Sequence, residues 1–369
     1  MRILFVTASP YLPQRRGGMK SSADELCVDL MRRGHQVAIL AGFTHSNRSD
    51  WRLRLLMRIN QVRYRCAVSR DLVSGYPVWR AWSPWNEIAC VAAQERAELV
   101  VVMVGQPIRM GLAAQRTGLP ILMLLQNVEF HTHGGRLADL GEVPWIANSR
   151  FTAEKYRTAY GIDSEVIIPY IAADRYRVAT TRENVTFINP HPVKGRDLAL
   201  EVARLCADIP FAFVEGWKLG DVDRRDLMQR LEALPNVTFL PPRDDMRSIY
   251  GKCKILLAPS VWEEAYGRVA TEAQINGIPV VASSRGGLPE AVGAGGILLD
   301  PDRPAVEWAA AVRSLWQDQK HYDDLSAAAL AHSERPETNA TYQIESWERA
   351  LRDAIERSCR QGARRASAS

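Results

Sequence analysis

Residues 259–287 read P-S-V-W-E-E-A-Y-G-R-V-A-T-E-A-Q-I-N-G-I-P-V-V-A-S-S-R-G-G. The stretch follows an apolar run, Ile255 to Ala258, of strand length. A loop with two carboxylates, Glu263 and Glu264, comes next. Tyr266 and Gly267 lead into a helical run ending near Asn276-Gly277, where glycine suits the left-handed closing residue. Val280 to Ala282 is a second short apolar strand, and Arg285-Gly286-Gly287 a second loop. Strand, loop, helix, strand is the βαβ unit of a parallel sheet, whose ligands bind in loops beyond the carboxyl ends of the strands. Glu264 and Glu272 are eight positions apart, about 12 Å at helical rise. Two such acceptor-only groups suit hydroxyls at two ends of an extended, polyhydroxylated ligand. The amides of Ala265, Tyr266 and Gly267 at the helix start suit an anionic or hydroxyl-rich middle.

The same alternation runs through both halves of the chain. Ile3 to Ala8 is a strand, Pro10 to Gly18 a loop ending in Gly17-Gly18, Met19 to Arg33 a helix and Gln36 to Leu40 a strand. No G-x-G-x-x-G is present, so a dinucleotide fingerprint is not supported. Further strands are read at Leu99 to Val104, Pro120 to Leu125 and Pro144 to Asn148, with helices at Pro107 to Thr117 and Arg150 to Tyr160. The pattern restarts at Asn184 to Ile188. Strands follow at Phe211 to Glu215, Val237 to Leu240 and Ile297 to Leu299, and helices at Gly195 to Cys206, Val222 to Leu234 and Pro304 to Gln317. Thr341 to Ile355, with Ile344, Trp347, Leu351 and Ile355 on one face, closes the pattern. Gly362 to Ser369 reads as a disordered tail. Each half is thus a doubly wound α/β domain.

The 369 residues suffice for two ordinary cores. Six scattered cysteines without a C-x-x-C pair argue against a disulfide framework or metal site and for a reducing cytosol. No apolar run approaches the ~20 residues of a membrane span. Residues 1–170 carry 21 Lys/Arg and 14 Asp/Glu, the rest 26 and 28, so the excess of positive charge lies in the first half. It suits an anionic partner or membrane surface there; diffuse surface charge is the alternative. Eight arginines fall in Arg48 to Arg80 against Asp50 and Asp71. Trp51, Leu55, Ile59 and Val62 recur near helical spacing. Val62 to Cys66 alternates, however, and with Val78 to Trp82 reads better as a hairpin.

Glu-x7-Glu after a Pro-Ser strand end, with an aromatic-Gly pair between and Gly-Gly-Leu-Pro-Glu downstream, resembles the donor site of retaining glycosyltransferase family 4. The run from Gly17-Gly18 to His35 is similar to that family's first loop and helix. The resemblance implies the GT-B fold, two Rossmann-like doubly wound parallel-sheet domains facing each other across a cleft. It implies an acceptor-side domain over 1–170, a nucleotide-sugar domain over 171–340 and a final helix, 341–360, packing back on the first. Gly17 and Gly18 would face the donor diphosphate and sugar, Glu264 would hold sugar hydroxyls and Glu272 the ribose. Lys194, in N-P-H-P-V-K-G at 189–195, matches the family's diphosphate lysine. The family's arginine position holds Asn189, which leaves Arg268 as a substitute cation by proximity, and Arg243 stands in the loop that lines the base. The family's His-Asp pair is replaced by Gln126-Asn127, within a segment that also holds Glu129 and His131. His131 and His133 lack a third partner for a metal.

The expected activity is metal-independent, retaining transfer from a nucleotide-diphosphate sugar, UDP being favoured by its frequency in the family. The acceptor is a hydroxyl of a cell-surface glycan, glycolipid or secondary-metabolite precursor. No cofactor, no divalent ion and no nucleic acid is expected. The implied location is cytoplasmic, with peripheral contact to the inner membrane face. A sugar-nucleotide epimerase of the same fold and a non-catalytic nucleotide-sugar binding protein are the alternatives.

Overall fold

A computed structural model describes residues 1–44 and 51–368. The chain divides into two compact units, Met1–Tyr170 with Thr341–Ser369, and Ile171–Ala340.

The first unit runs β1 (Arg2–Pro10), α1 (Gly18–Arg32), β2 (Gln36–Gly42), α2 (Trp51–Tyr64), β3 (Ser69–Asp71), β4 (Val78–Ala81), α3 (Pro84–Gln94), β5 (Leu99–Val102), α4 (Pro107–Gln115), β6 (Ile121–Leu125), β7 (Trp145–Ala147), α5 (Arg150–Tyr160) and β8 (Glu165–Val166). Its sheet has the order β3-β4-β2-β1-β5-β6-β7-β8. Every pairing is parallel except β3 with β4. Central strands such as Leu99–Val102 are uninterrupted aliphatic runs because helices cover both faces of a parallel sheet, and all four residues are fully buried.

The second unit runs β9 (Asn184–Ile188), α6 (Arg196–Leu205), β10 (Phe211–Val214), α7 (Asp221–Leu231), β11 (Val237–Leu240), α8 (Arg247–Tyr250), β12 (Cys253–Ala258), α9 (Arg268–Gln274), β13 (Val280–Ser283), α10 (Leu288–Val292), β14 (Gly296–Leu299), α11 (Ala305–Gln317) and α12 (Gln319–Ser333). Its sheet is wholly parallel, in the order β11-β10-β9-β12-β13-β14. Phe187, Phe213, Val202, Leu257 and Trp308 share one core, and the Phe187 and Phe213 rings meet edge to face at 5.1 Å. Strand order reverses between β9 and β12, which makes the loops leaving those two strands the expected ligand position.

Three expectations need correction. The hairpin exists, but its arms are Ser69–Asp71 and Val78–Ala81, and Val62 to Tyr64 closes α2 instead. Asn60, in the last turns of α2, donates from its amide to the Val68 carbonyl at 3.0 Å and ties the helix to the chain that follows it. Arg48, at the start of the basic segment, lies outside the described residues. Second, Cys66 and Cys90 form a disulfide, with Cα atoms 5.9 Å apart, because the chain after α2 returns beside α3. Cys27, Cys206 and Cys253 are buried free thiols and Cys359 an exposed one. Third, the final helix, α13 (Ala340–Ala368), runs through the expected tail, whose alanines and arginines are strong helix formers. Within the first unit α13 buries Ile344, Trp347, Leu351 and Ala354. Its Glu348 receives Arg33 through Nε at 2.8 Å and a terminal nitrogen at 2.9 Å, and His35 at 2.9 Å. Among the described residues no helix is long and apolar enough to cross a membrane.

Candidate functional site

Two loops meet where strand order reverses in the second unit. The first leaves β9 through Asn189, whose backbone is left-handed at φ 67°. Its N–H donates to the Val214 carbonyl at 2.7 Å, and its side-chain oxygen accepts from the Trp217 N–H at 3.1 Å. The loop from β10 is thereby fastened to the loop from β9. Pro190 and Pro192 stiffen the following residues, and Gly195 turns the chain into α6 at φ 82°. No side chain fits at Gly195, since a Cβ would lie 1.9 Å from the Pro259 carbonyl oxygen. The second loop, from β12, closes on the first at Val193. The Val193 carbonyl accepts from the Trp262 N–H at 3.1 Å and from the Ser260 hydroxyl at 3.3 Å.

This packing brings the Lys194 ammonium to 2.5 Å from Glu264 Oε1. The side chains are 14% and 20% exposed, so the pair is shielded yet reachable. Lys194 Nζ also lies 4.8 Å from the Trp217 ring centroid and 5.8 Å from that of Trp262. Aromatic faces attract an ammonium at such distances. The indoles stand edge to face at 6.5 Å, and the His191 ring abuts Trp217 at 5.7 Å. Burial, with Arg196 and Lys194 beside it, holds the His191 imidazole below its ordinary range despite Asp223, so it is neutral at pH 7. Trp217 and Trp262 escaped the sequence reading. Trp262 stands two residues before Glu264, and Trp217 follows the Gly216 that ends the β10 strand region.

Glu272 lies on α9, buried to 6% exposure. One carboxylate oxygen accepts from Arg268 Nε at 2.5 Å and the other from the Tyr250 hydroxyl at 2.7 Å. Arg268 reaches the Tyr176 hydroxyl with a terminal nitrogen, also at 2.5 Å. The guanidinium expected as a second phosphate cation is thus turned into a buried network around Glu272. Tyr266 is buried, accepting from Arg335 at 2.7 Å, so only its backbone faces the loop chemistry. Gly267, at φ 105°, has no room for a Cβ against Leu288, and Gly286 none against the Glu264 backbone. The Gly287 N–H donates to the Glu264 carbonyl at 2.7 Å, which ties the β13 loop beneath the carboxylate. Ala265 precedes Tyr266 in the same loop. Arg243 is exposed after β11, the edge strand three places from β12, about 14 Å at the usual strand spacing.

In the first unit, strand order reverses between β1 and β5. Gly17 precedes α1 and Gly18 opens it, and no side chain caps the start of α1, whose first turn carries no acid. Gln126, beyond β6, accepts from the Val104 N–H at 3.3 Å, and Asn127 donates to the Thr132 hydroxyl at 2.7 Å. His131 is exposed and Glu129 half-buried. His133 is buried, bonded at 2.7 Å to the Tyr156 hydroxyl, which donates to the Asn127 carbonyl at 3.0 Å. His131 and His133 therefore face different surroundings. Among the described residues no group of three His, Cys, Asp or Glu is placed to hold a metal ion.

The family model for glycosyl transferases group 1 matches residues 183–318, the region that holds Asn189, Lys194, Glu264 and Glu272. Relatives of this group include D-inositol 3-phosphate glycosyltransferases. That of Rhodococcus opacus is 32% identical over 219 residues, 51% of this chain and 49% of its own. That of Corynebacterium kroppenstedtii is 38% identical over 141 residues, 37% of this chain and 30% of its own. The chain spans about half or less of the length of these curated relatives. Among solved structures, Anabaena Alr3699/HepE in complex with UDP and glucose superposes with a TM-score of 0.75 at 19% identity, covering 95% of this chain and 99% of that one. Sucrose-phosphate synthase from Thermosynechococcus elongatus gives 0.74 at 16%, covering 96% and 99%. These likenesses establish the GT-B fold.

Proposed function

We propose that this protein is a glycosyltransferase that moves a sugar from a nucleotide-diphosphate sugar, UDP-linked, to a hydroxyl acceptor, with retention and without a metal ion. The observation that carries the reading is the Lys194–Glu264 pair at the reversal of strand order. In one place it offers a cation for a leaving diphosphate and a carboxylate for sugar hydroxyls. Lys194 neutralises charge that grows on the diphosphate as the glycosidic bond breaks, a stabilisation that favours the transition state over the ground state. Glu264 accepts hydrogen bonds from the sugar and fixes its orientation. Glu272, held by Arg268 and Tyr250, accepts from the ribose. No side chain is assigned as nucleophile: the departing phosphate oxygen takes the acceptor's proton. The UDP and UDP-glucose in the HepE complexes support the choice of nucleotide.

The acceptor-side contact is assigned to α2. Leu55, Ile59 and Val62 are 51%, 53% and 86% exposed. At about 100° per residue they form one stripe, opposite Met57, Asn60 and Tyr64, which face the body. Exposed Arg58 and Arg63 flank the stripe on either side, and residues 51–65 contain no acid. An outward apolar stripe between arginines suits an anionic membrane surface.

The test is release of nucleoside diphosphate from UDP-, GDP-, ADP- and dTDP-sugars in the presence of candidate hydroxyl acceptors, with and without EDTA. The reading expects release from one donor class, unaffected by EDTA and lost in Lys194→Ala. Conversion of the donor sugar without acceptor would mark an epimerase. Tight binding without turnover would mark a binding protein.

A further inference from the structure

Resting on the donor-site reading, we propose that the Lys194–Glu264 pair makes the site discriminate between a nucleotide sugar and the bare nucleoside diphosphate. Glu264 serves as the internal counter-ion of Lys194 until sugar hydroxyls engage it.

The surroundings of the ammonium lead to this. Lys194 has three N–H donors. One is taken by Glu264 at 2.5 Å. Uncharged aromatic faces, Trp217 at 4.8 Å and Trp262 at 5.8 Å, flank the same nitrogen. Residues 189–196, the loop that carries Lys194, add no other free positive charge, and Lys218, beyond Trp217, is exposed to solvent. Asn189 is neutral and spent on the Trp217 N–H. His191 is held neutral by burial. Arg196, at the start of α6, is committed to Asp226 at 3.0 Å and Asp223 at 3.5 Å. Lys194 and Glu264 therefore sum to zero charge before anything binds.

A bare diphosphate entering this site competes with Glu264 for the Lys194 ammonium, and the carboxylate then faces a like charge. A nucleotide sugar brings hydroxyl donors along with its phosphates. Those hydroxyls satisfy Glu264 as it lets go of Lys194, so both halves of the broken pair find partners. The same exchange runs backwards after transfer: once the sugar has left, Glu264 reclaims Lys194 and weakens the hold on the product. The indole faces keep the ammonium in place during the exchange, and the Asn189 clasp holds Trp217 there.

Calorimetric titration of UDP, inorganic pyrophosphate and UDP-glucose into the wild type, Glu264→Gln, Lys194→Ala and the double variant tests this, with GDP, ADP and dTDP as further probes. Glu264→Gln keeps the shape of the side chain; Glu264→Ala serves if it fails to fold, as judged by Tm. The expected result is that Glu264→Gln binds UDP and pyrophosphate about tenfold more tightly than the wild type, while its affinity for UDP-glucose does not rise. In the Lys194→Ala background the same change should bring no gain. Unchanged or weaker diphosphate binding by Glu264→Gln, where the wild type binds, overturns the inference alone. So does a gain that persists without Lys194. If no variant binds any of these diphosphates, the donor-site reading fails and takes this inference with it.

Discussion

The Lys194 ammonium and the Glu264 carboxylate, 70 residues apart in the chain, lie 2.5 Å apart where the loops of β9 and β12 converge. A cation so placed, shielded from water, acts on developing charge far more strongly than it would at a surface. Lys194→Ala should lower kcat/KM about 10²- to 10³-fold, the usual loss when one such stabilising group is removed. Lys194→Arg should recover little, because the longer, planar guanidinium places its donors differently from the compact ammonium that meets Glu264. Steady-state kinetics on the two variants checks both statements.

Glu264 and Glu272 should fail in different ways. Glu264→Ala should reduce turnover, since the sugar loses its orientation. Glu272→Ala should raise the donor KM and also destabilise the fold by about 3–5 kcal/mol, because the buried Arg268 guanidinium loses its carboxylate. Tyr250→Phe, which removes one bond to Glu272, should cost about 1–2 kcal/mol. Denaturant unfolding beside donor kinetics separates the effects. Unchanged kinetics in both glutamate variants would sink the site assignment.

The first unit carries a pH-dependent tie. Arg33 and His35 hold the Glu348 carboxyl down to about 2, from an ordinary 4.5. The folded pKa is depressed, so the stabilisation is present above the unfolded pKa and is lost as pH falls through the folded value. Tm should therefore drop between pH ~5 and ~2, as α13 loses its hold on Arg33. Glu348→Gln should lower Tm at pH 7 and flatten that acid limb. A limb of equal steepness in the variant would show that other carboxylates govern it.

Contact of α2 with a membrane predicts sedimentation with vesicles rich in phosphatidylglycerol, little with neutral phosphatidylcholine, and weakening by salt. Val62→Glu, at the most exposed position of the stripe, should abolish binding while leaving Tm unchanged. Equal binding to both vesicle types would remove the membrane from the account.

The second unit was legible because its signals are local. Ile255 to Gly287 announces strand end, helix and next strand within one window, and Gly195 and Gly267 mark turns that no other residue fits. The first unit was less so between residues 43 and 98. There α2 buries Asn60, half-buries Met57 and Tyr64 and exposes Leu55, Ile59 and Val62, so apolar residues on both faces blur the helical period. The Cys66–Cys90 bond joins residues 24 apart through tertiary packing, which spacing alone does not reveal. The fate of Arg268 was equally invisible. Its neighbour in sequence is the Glu motif, but its partners include Tyr176, 92 residues away. Trp217 met Lys194 only through Asn189, a residue read for the charge it lacks rather than the bond it makes.

The most direct measurement is thermal shift of the wild type, Lys194→Ala and Glu272→Ala against UDP, GDP, dTDP and ADP. A ligand at 100 times its Kd stabilises by about 2.7 kcal/mol, well within reach of the method. The account predicts that UDP raises the Tm of the wild type and that both variants lose the shift. Stabilisation that survives in Lys194→Ala, or no stabilisation by any of the four nucleotides, would contradict a nucleotide-sugar site at Lys194 and Glu264.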